Sequence, residues 1–250
     1  MKDKIAILPI KGTVISETGL FLPFPIPIKI SGVSSEDILG FLDEIEKNKK
    51  IKAVILEIDS PGGTPYPCKE IAQRTKNFSK LTVAWIKEAA TSGAYWIASA
   101  CKKIVADHLS LIGSIGVTSI RPDFSEAMKK FGIDIDTLAT GVYKTLGMPF
   151  QKTTPEEKEI LKQELEIVYR YFLNEVAKNR NLSEETVKEI STGKIYLGEE
   201  AKKIGLIDLL GGKTEALKIA QEETKLKTYQ IIDYNKKISQ PKGLLGRLLR

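Results

Sequence analysis

Leu81-Thr-Val-Ala-Trp-Ile86, followed closely by Ala89-Ala-Thr-Ser-Gly-Ala-Tyr95, is the stretch whose reading decides the fold. The first run is short and rich in β-branched and aromatic residues, which predicts a buried strand. Trp96, Ile97, Ala98, Ala100 and Cys101 then predict a buried helix. Ser92 sits at the junction. A serine there stands at the positive end of a helix, where free backbone N–H groups can stabilise an oxyanion beside the hydroxyl. The same position equally suits a serine that only caps the helix. This stretch alone leaves both readings open.

Working outward, strands and helices alternate on both sides. Upstream, Ile5-Ala-Ile-Leu-Pro-Ile10 reads as a first strand closed by Lys11-Gly12. Gly19 to Ile28 is strongly apolar but carries three prolines, so it is neither a regular helix nor a central strand. It is either a loop packed on its own core or an apolar rim meeting a membrane, a substrate or another subunit. Ser34-Ser-Glu-Asp37 resembles a capping box, and Ile38, Leu39, Phe41, Leu42 and Ile45 follow at helical spacing. Ala53 to Ile58 predicts a strand running into Asp59-Ser-Pro-Gly-Gly63. That glycine pair permits close approach of a ligand to backbone N–H groups, or simply makes a turn. Pro67 to Phe78 predicts a helix.

Downstream, Lys103 to Ala106 predicts a strand, and Leu111-Ile-Gly-Ser-Ile-Gly-Val117 suggests backbone lying close to something else. Asp123 to Phe131 reads as helix, Ile133 to Leu138 as strand, and Thr140 to Pro149 as a loop holding Lys144. Thr154-Pro-Glu-Glu157 opens a long helix with Leu161, Leu165, Val168 and Phe172 on one face. Ser183 to Ile190 is a shorter helix and Gly193 to Gly198 a turn or strand; Lys213 to Glu223 is a helix and Tyr229 to Asp233 a strand. The alternation predicts an α/β layered fold. We assign 1–235 to a single catalytic domain and 236–250 to a basic, leucine-containing tail. Such a tail is a frayed end or a docking segment for a partner or membrane surface.

Composition narrows the chemistry. The net charge of +6 comes from lysines scattered among glutamates, which indicates a solvated surface and no nucleic-acid footprint. Cys68 and Cys101 have no metal-ligand spacing and read as buried free thiols. His108 is the one histidine, so a multi-histidine metal site is excluded. No run reaches the roughly 18 apolar residues that span a bilayer. Met1-Lys-Asp-Lys4 leads straight into Ile5 with no signal-peptide pattern, so a soluble chain is expected.

A serine hydroxyl needs a base to take its proton. With histidine so scarce, lysine is the natural candidate, as in Ser-Lys variants of the catalytic triad. Lysine serves only when neutral, which burial in an apolar site promotes. Lys144 has the apolar neighbours Val142, Tyr143, Leu146, Met148 and Pro149. A solvated loop lysine is the competing reading.

Asp59-Ser-Pro-Gly-Gly63, Thr91-Ser-Gly-Ala-Tyr95, Gly113-Ser-Ile-Gly-Val117 and Lys144, in this order, resemble the signal peptide peptidase A family. Gly193-Lys-Ile-Tyr-Leu-Gly198 and Ala201-Lys-Lys-Ile-Gly-Leu-Ile-Asp208 resemble that family's closing segment. The likeness runs from about Ile5 to about Leu217, with Ser92 and Lys144 separated by 52 positions. It implies a serine-lysine endopeptidase with the layered ClpP/crotonase fold of repeated ββα-type units. By the same resemblance Ser92 is the nucleophile, Lys144 the base, and Ser114 orients the lysine amine. The N–H of Gly93 and one from Gly62-Gly63 form the oxyanion hole. No metal or other cofactor is implied. The substrates implied are remnant signal peptides and other unfolded hydrophobic segments. The partner implied is the chain itself, as a homo-oligomeric ring of eight subunits in which Lys144 can serve a neighbouring Ser92. The resemblance implies membrane association, because members of the family usually carry an N-terminal membrane anchor; with no membrane-spanning run in this sequence, either a soluble catalytic fragment or an anchorless form is expected. Two rival readings are an acyl-CoA hydratase or isomerase and a non-catalytic scaffold. No glutamate pair beside the glycine turns supports the first, and the intact Ser92 and Lys144 argue against the second.

Overall fold

The computed structural model describes residues 2–17 and 32–235. The proline-rich Gly19 to Ile28 segment and the 236–250 tail, to which the sequence suggested surface roles, lie outside the described residues. Two compact units are distinguished, one of residues 1–116 with 172–250 and one of residues 117–171.

The larger unit is built on strands β1 (Lys4–Lys11), β2 (Thr13–Ile15), β3 (Gly32–Ser34), β4 (Ile51–Ser60), β5 (Leu81–Thr91), β6 (Lys103–Ala106), β7 (Leu111–Gly113), β8 (Ile195–Leu197), β9 (Leu209–Leu210) and β10 (Gln230–Asp233). The main sheet runs β10-β1-β4-β5-β6-β9 with all neighbours parallel. Parallel strands are covered on both faces, which is why β1 and β4 are near-continuous apolar runs rather than alternating ones. Ala6, Leu8, Val54, Leu56, Ala84 and Ile86 share one face; Ile5, Ile7, Ala53, Ile55 and Val83 share the other. Helices α1 (Ser35–Lys47), α2 (Pro65–Lys76) and α3 (Gly93–Ser99) supply Ile38, Leu42, Ile71, Tyr95 and Ile97 to the first layer.

A change of partner along β5 positions the candidate site. Residues Val83 to Ile86 pair with β6, whereas Ala89 to Thr91 pair with β7. On the β4 side the register jumps from Ile58↔Ile86 to Ser60↔Ala90, so Lys87 to Ala89 bulge out of the ladder. Bulges of this kind bend a strand and re-aim its end. Strand β5 therefore runs on to Thr91, beyond the apolar run ending at Ile86 that marks it in the sequence.

The smaller unit holds α4 (Ser125–Lys130) and the first part of α5 (Pro155–Arg180). The capping box expected at Thr154 is present, with Thr154 N–H donating to Glu157 Oε2 at 2.8 Å and Glu157 N–H donating to Thr154 Oγ1 at 3.2 Å. Two expectations fail. The alternation in Ile133 to Leu138 suggested a strand, but the backbone there forms no ladder, and Ile133, Ile135 and Leu138 are exposed. Alternation specifies a strand only where a neighbouring strand offers hydrogen bonds. Ser34 precedes α1 as expected but its side chain makes no cap bond to the helix; its hydroxyl donates to Ser16 O at 2.8 Å. The remaining helices, α6 (Glu184–Ile190), α7 (Gly198–Lys203) and α8 (Lys213–Glu223), belong to the larger unit. Of these, α8 supplies Ala216 and Ala220 to the second face of the sheet.

Candidate active site

Ser92 follows the last residue of β5 directly and precedes α3. Its backbone has φ 52° and ψ −130°, a conformation that costs an ordinary residue about 1–3 kcal/mol. The strain is held by flanking bonds. Ser92 N–H donates to Gly113 O at 2.8 Å, and Ser92 O accepts from Tyr95 N–H at 2.9 Å and Trp96 N–H at 3.2 Å. The Ser92 side chain makes no capping hydrogen bond to α3, so the simple cap reading fails.

Helix α3 is anchored from behind. Tyr95 Oη donates to Leu206 O at 2.7 Å, and Trp96 Nε1 donates to Glu175 Oε2 at 2.7 Å. The Trp96 ring stacks on Phe172 at 4.6 Å. Arg180 donates to both oxygens of Asp208, and Ile104 N–H donates to Asp208 Oδ2 at 2.7 Å. The closing segment at 201–208 is thus structural. Its backbone receives the Tyr95 hydroxyl, and its Asp208 ties α5 to β6.

The Gly62-Gly63 turn comes up beside the elbow. Gly62 has φ +102°, and a Cβ there would lie 2.8 Å from Gly93 N and 3.0 Å from Ser92 Cβ. Gly62 N–H donates to Ser60 Oγ at 3.1 Å, so of the glycine pair Gly62 does not supply a free donor. Gly63 does. Val14 N–H donates to Gly62 O at 2.8 Å and Val14 O accepts from Thr64 N–H at 3.0 Å, in the isolated parallel bridge of Val14 with Gly63. In such a bridge the middle residue turns its own N–H to the opposite side. A Cβ built on Gly93 would come within 3.6 Å of Gly63 N, so the Gly63 nitrogen lies beside the start of α3. Gly93, in the first turn of α3, has no intrahelical acceptor for its N–H. Among the described residues neither the Gly63 nor the Gly93 N–H has an acceptor. Two unclaimed donors therefore flank the Ser92 elbow.

Ser114 lies one position past Gly113, which pairs with Thr91, so Ser92 and Ser114 leave adjacent strands at the same level. Its φ of 50° is the second positive value at a serine, and its N–H donates to Lys194 O at 2.9 Å. The site residues Ser92, Ser114, Gly62, Gly63 and Gly93 all belong to the larger unit. Lys144 belongs to the smaller one. There it sits in a turn closed by its N–H donating to Gly141 O at 3.1 Å, and its side chain is exposed along with Val142 and Tyr143. The apolar cover that the sequence suggested for Lys144 is not supplied by its own unit. His108 is exposed, with Nδ1 3.0 Å from Glu199 Oε1.

Sequence reasoning missed one neighbour. Cys68, in the first turn of α2, is fully buried directly against Gly93. Burial pushes its thiol, like that of Cys101, up to about 12. Nothing local in the sequence links Cys68 to a residue so much further along.

The model of Peptidase family S49 matches residues 74–227, more than half of the chain. The chain belongs to peptidase family S49. S49 membership makes it a serine peptidase by class. A protein of Methanocaldococcus jannaschii named as a candidate protease is 36% identical over 210 residues, covering 83% of this chain and 67% of its own length. Protease 4 of Haemophilus influenzae is 31% identical, covering 88% of this chain and 35% of its own length. The chloroplastic serine protease SPPA of Arabidopsis thaliana is 30% identical over 241 residues, and this chain spans 34% of it. The fold is likewise that of known peptidases. The 1510-N membrane-bound stomatin-specific protease, solved with a substrate peptide, superposes with a TM-score of 0.56 at 15% identity, covering 99% of this chain and 96% of that one. ClpP1 of Listeria monocytogenes gives a TM-score of 0.54 at 14% identity, covering 84% of this chain and 94% of that one. The layered ClpP-like α/β architecture expected from the motif order is therefore present.

Proposed function

We propose that this S49 peptidase is an endopeptidase working through a Ser92-Lys144 dyad. The observation that carries the reading is the strained Ser92 elbow flanked by the unclaimed Gly63 and Gly93 N–H groups. In the first step the neutral Lys144 amine takes the Ser92 hydroxyl proton while Oγ bonds to the scissile carbonyl carbon. The carbonyl oxygen becomes an oxyanion held by the two N–H donors. The Lys144 ammonium then returns the proton to the leaving amine, the C–N bond breaks, and an acyl-Ser92 ester remains. Water, activated by Lys144, attacks that ester and regenerates Ser92. Ser114 accepts a hydrogen bond from the Lys144 amine and orients it.

An exposed lysine is a poor base at neutral pH, so Lys144 acts only when covered. We propose that residues 1–235 work as one catalytic domain and that homo-oligomer assembly, as a ring, covers Lys144 against a Ser92 of its own or a neighbouring subunit. The exposed Val142, Tyr143 and Met148 around Lys144 suit such an interface. The proposed substrates are unfolded hydrophobic peptides, remnant signal peptides among them. No helix among the described residues is long and apolar enough to cross a membrane. We propose membrane association on the resemblance to signal peptide peptidases alone.

Labelling with a fluorophosphonate, followed by peptide mapping, tests the nucleophile. The modification is expected on Ser92 and absent from Ser92→Ala. A label on another serine, undiminished in Ser92→Ala, overturns the assignment.

A further inference from the structure

The two donors beside Ser92 come from different elements: Gly63 from the turn before α2, and Gly93 from the start of α3. Something must fix their separation, because an oxyanion is stabilised only by donors about 2.7–3.1 Å from it. Cys68 occupies the place where that could be done. It lies in the first turn of α2, tethered by its N–H donating to Thr64 O at 3.3 Å, and no part of it reaches solvent. A Cβ on Gly93 would fall 2.3 Å from Cys68 Sγ, 2.9 Å from Cys68 Cβ and 3.6 Å from Gly63 N. The thiol thus rests in van der Waals contact with the Gly93 backbone, on the side where Gly63 approaches it.

We propose that Cys68 is a positioning residue for peptide hydrolysis: its sulfur is the spacer that sets the distance between the Gly63 and Gly93 N–H groups. The inference rests on the reading of those two groups as the oxyanion hole. It assigns Cys68 no chemistry of its own. Burial keeps the thiol protonated and unreactive. Its size and shape are what matter. A larger side chain pushes Gly93 outward, and a smaller one lets it settle inward. A misplacement of about 1 Å at a reacting centre costs on the order of 100-fold in rate.

The test compares Cys68→Val with Cys68→Ser in the full chain, using a fluorogenic peptide, a peptide aldehyde inhibitor and the matching peptide alcohol. The aldehyde forms a hemiacetal with Ser92 and places an oxygen in the hole; the alcohol occupies the substrate groove without doing so. For Cys68→Val, kcat is expected to fall by roughly 10- to 100-fold with KM changed less than about twofold. Its aldehyde affinity should fall by the same factor as kcat while its alcohol affinity stays. Cys68→Ser, close in size, should bring kcat back to within about threefold of wild type. If circular dichroism finds Cys68→Val unfolded, Cys68→Ala, which only removes the sulfur, is read for the same signature. Unchanged kcat in the folded variant, or equal loss of aldehyde and alcohol affinity, overturns the proposal. Ser92→Ala separates the two levels. If it still cleaves the peptide, the parent reading fails; if it is inactive while Cys68→Val is fully active, only the spacer inference fails.

Discussion

Replacing Gly62 by alanine probes the elbow and the glycine turn together. At φ +102° an L side chain costs about 1–3 kcal/mol in backbone strain. For a chain of this size each kcal/mol lowers Tm by roughly 2–4 °C, so a drop of about 2–12 °C is expected. The larger effect is local. The added methyl would lie 2.8 Å from Gly93 N, 2.9 Å from Thr91 O and 3.0 Å from Ser92 Cβ. The first two are backbone atoms that cannot rotate away, so the turn must part from the elbow. Loss of one oxyanion donor costs about 100- to 1,000-fold in kcat, or roughly 2.7–4 kcal/mol. We expect Gly62→Ala to fall in that range with a fluorogenic peptide, with far less change in KM. Gly40→Ala is the control. Gly40 is exposed in α1 with open space around its Cβ position, so alanine should stabilise by about 0.5–1 kcal/mol and leave activity unchanged. A Gly62→Ala enzyme with kcat within threefold of wild type would refute the close approach of turn and elbow.

Three further outcomes follow from the packing. The Ser79 backbone N–H, with help from the Ser79 hydroxyl and the Arg74 guanidinium, holds the Glu46 carboxyl down to about 2. A depressed carboxyl stabilises the fold above its ordinary value near 4.5 and loses that contribution as pH falls toward about 2. The Tm gap between wild type and Glu46→Gln should therefore be full above pH 4.5 and close on acidification; a constant gap would contradict it. Asp208→Asn breaks the bidentate pair with Arg180, whose side chain is only 9% exposed. Partner removal from a buried pair costs about 3–5 kcal/mol, and with Asp208 itself 30% exposed we expect about 3 kcal/mol by chemical denaturation. A loss below about 1 kcal/mol would mean the pair behaves as a surface one. Cys68 and Cys101, both buried with thiols pushed up to about 12, should resist a thiol reagent in the native protein and react fully in denaturant. Rapid native labelling would place them wrongly.

The parallel sheet was legible because its strands are buried on both faces, so Ile5 to Ile10 and Ala53 to Ile58 announce themselves as apolar runs. The helix starting at Pro155 was legible because Thr154 and Glu157 satisfy each other's neighbouring backbone groups, a local device written in four residues. Ile133 to Leu138 misled because its alternation is a local signal, while a ladder needs a distant partner. At the site, the order of glycine and serine motifs pointed to Ser92 and the Gly62-Gly63 turn. Their positions there are set by nonlocal events: the bulge at Lys87 to Ala89, the Val14 bridge to Gly63, and the closing segment behind Tyr95. The engagement of Gly62 N–H by Ser60 and the contact of Cys68 with Gly93 were beyond any local reading.

The central claim, a serine nucleophile with a lysine base, is tested most directly by one experiment. Cleavage of casein by wild type, Ser92→Ala and Lys144→Ala is followed across roughly pH 6 to 10. A lysine base works only after losing its proton, so wild-type activity should rise with pH, and both variants should be inactive throughout. Full activity in Ser92→Ala would contradict the nucleophile, and an unchanged pH profile in an active Lys144→Ala would contradict the base.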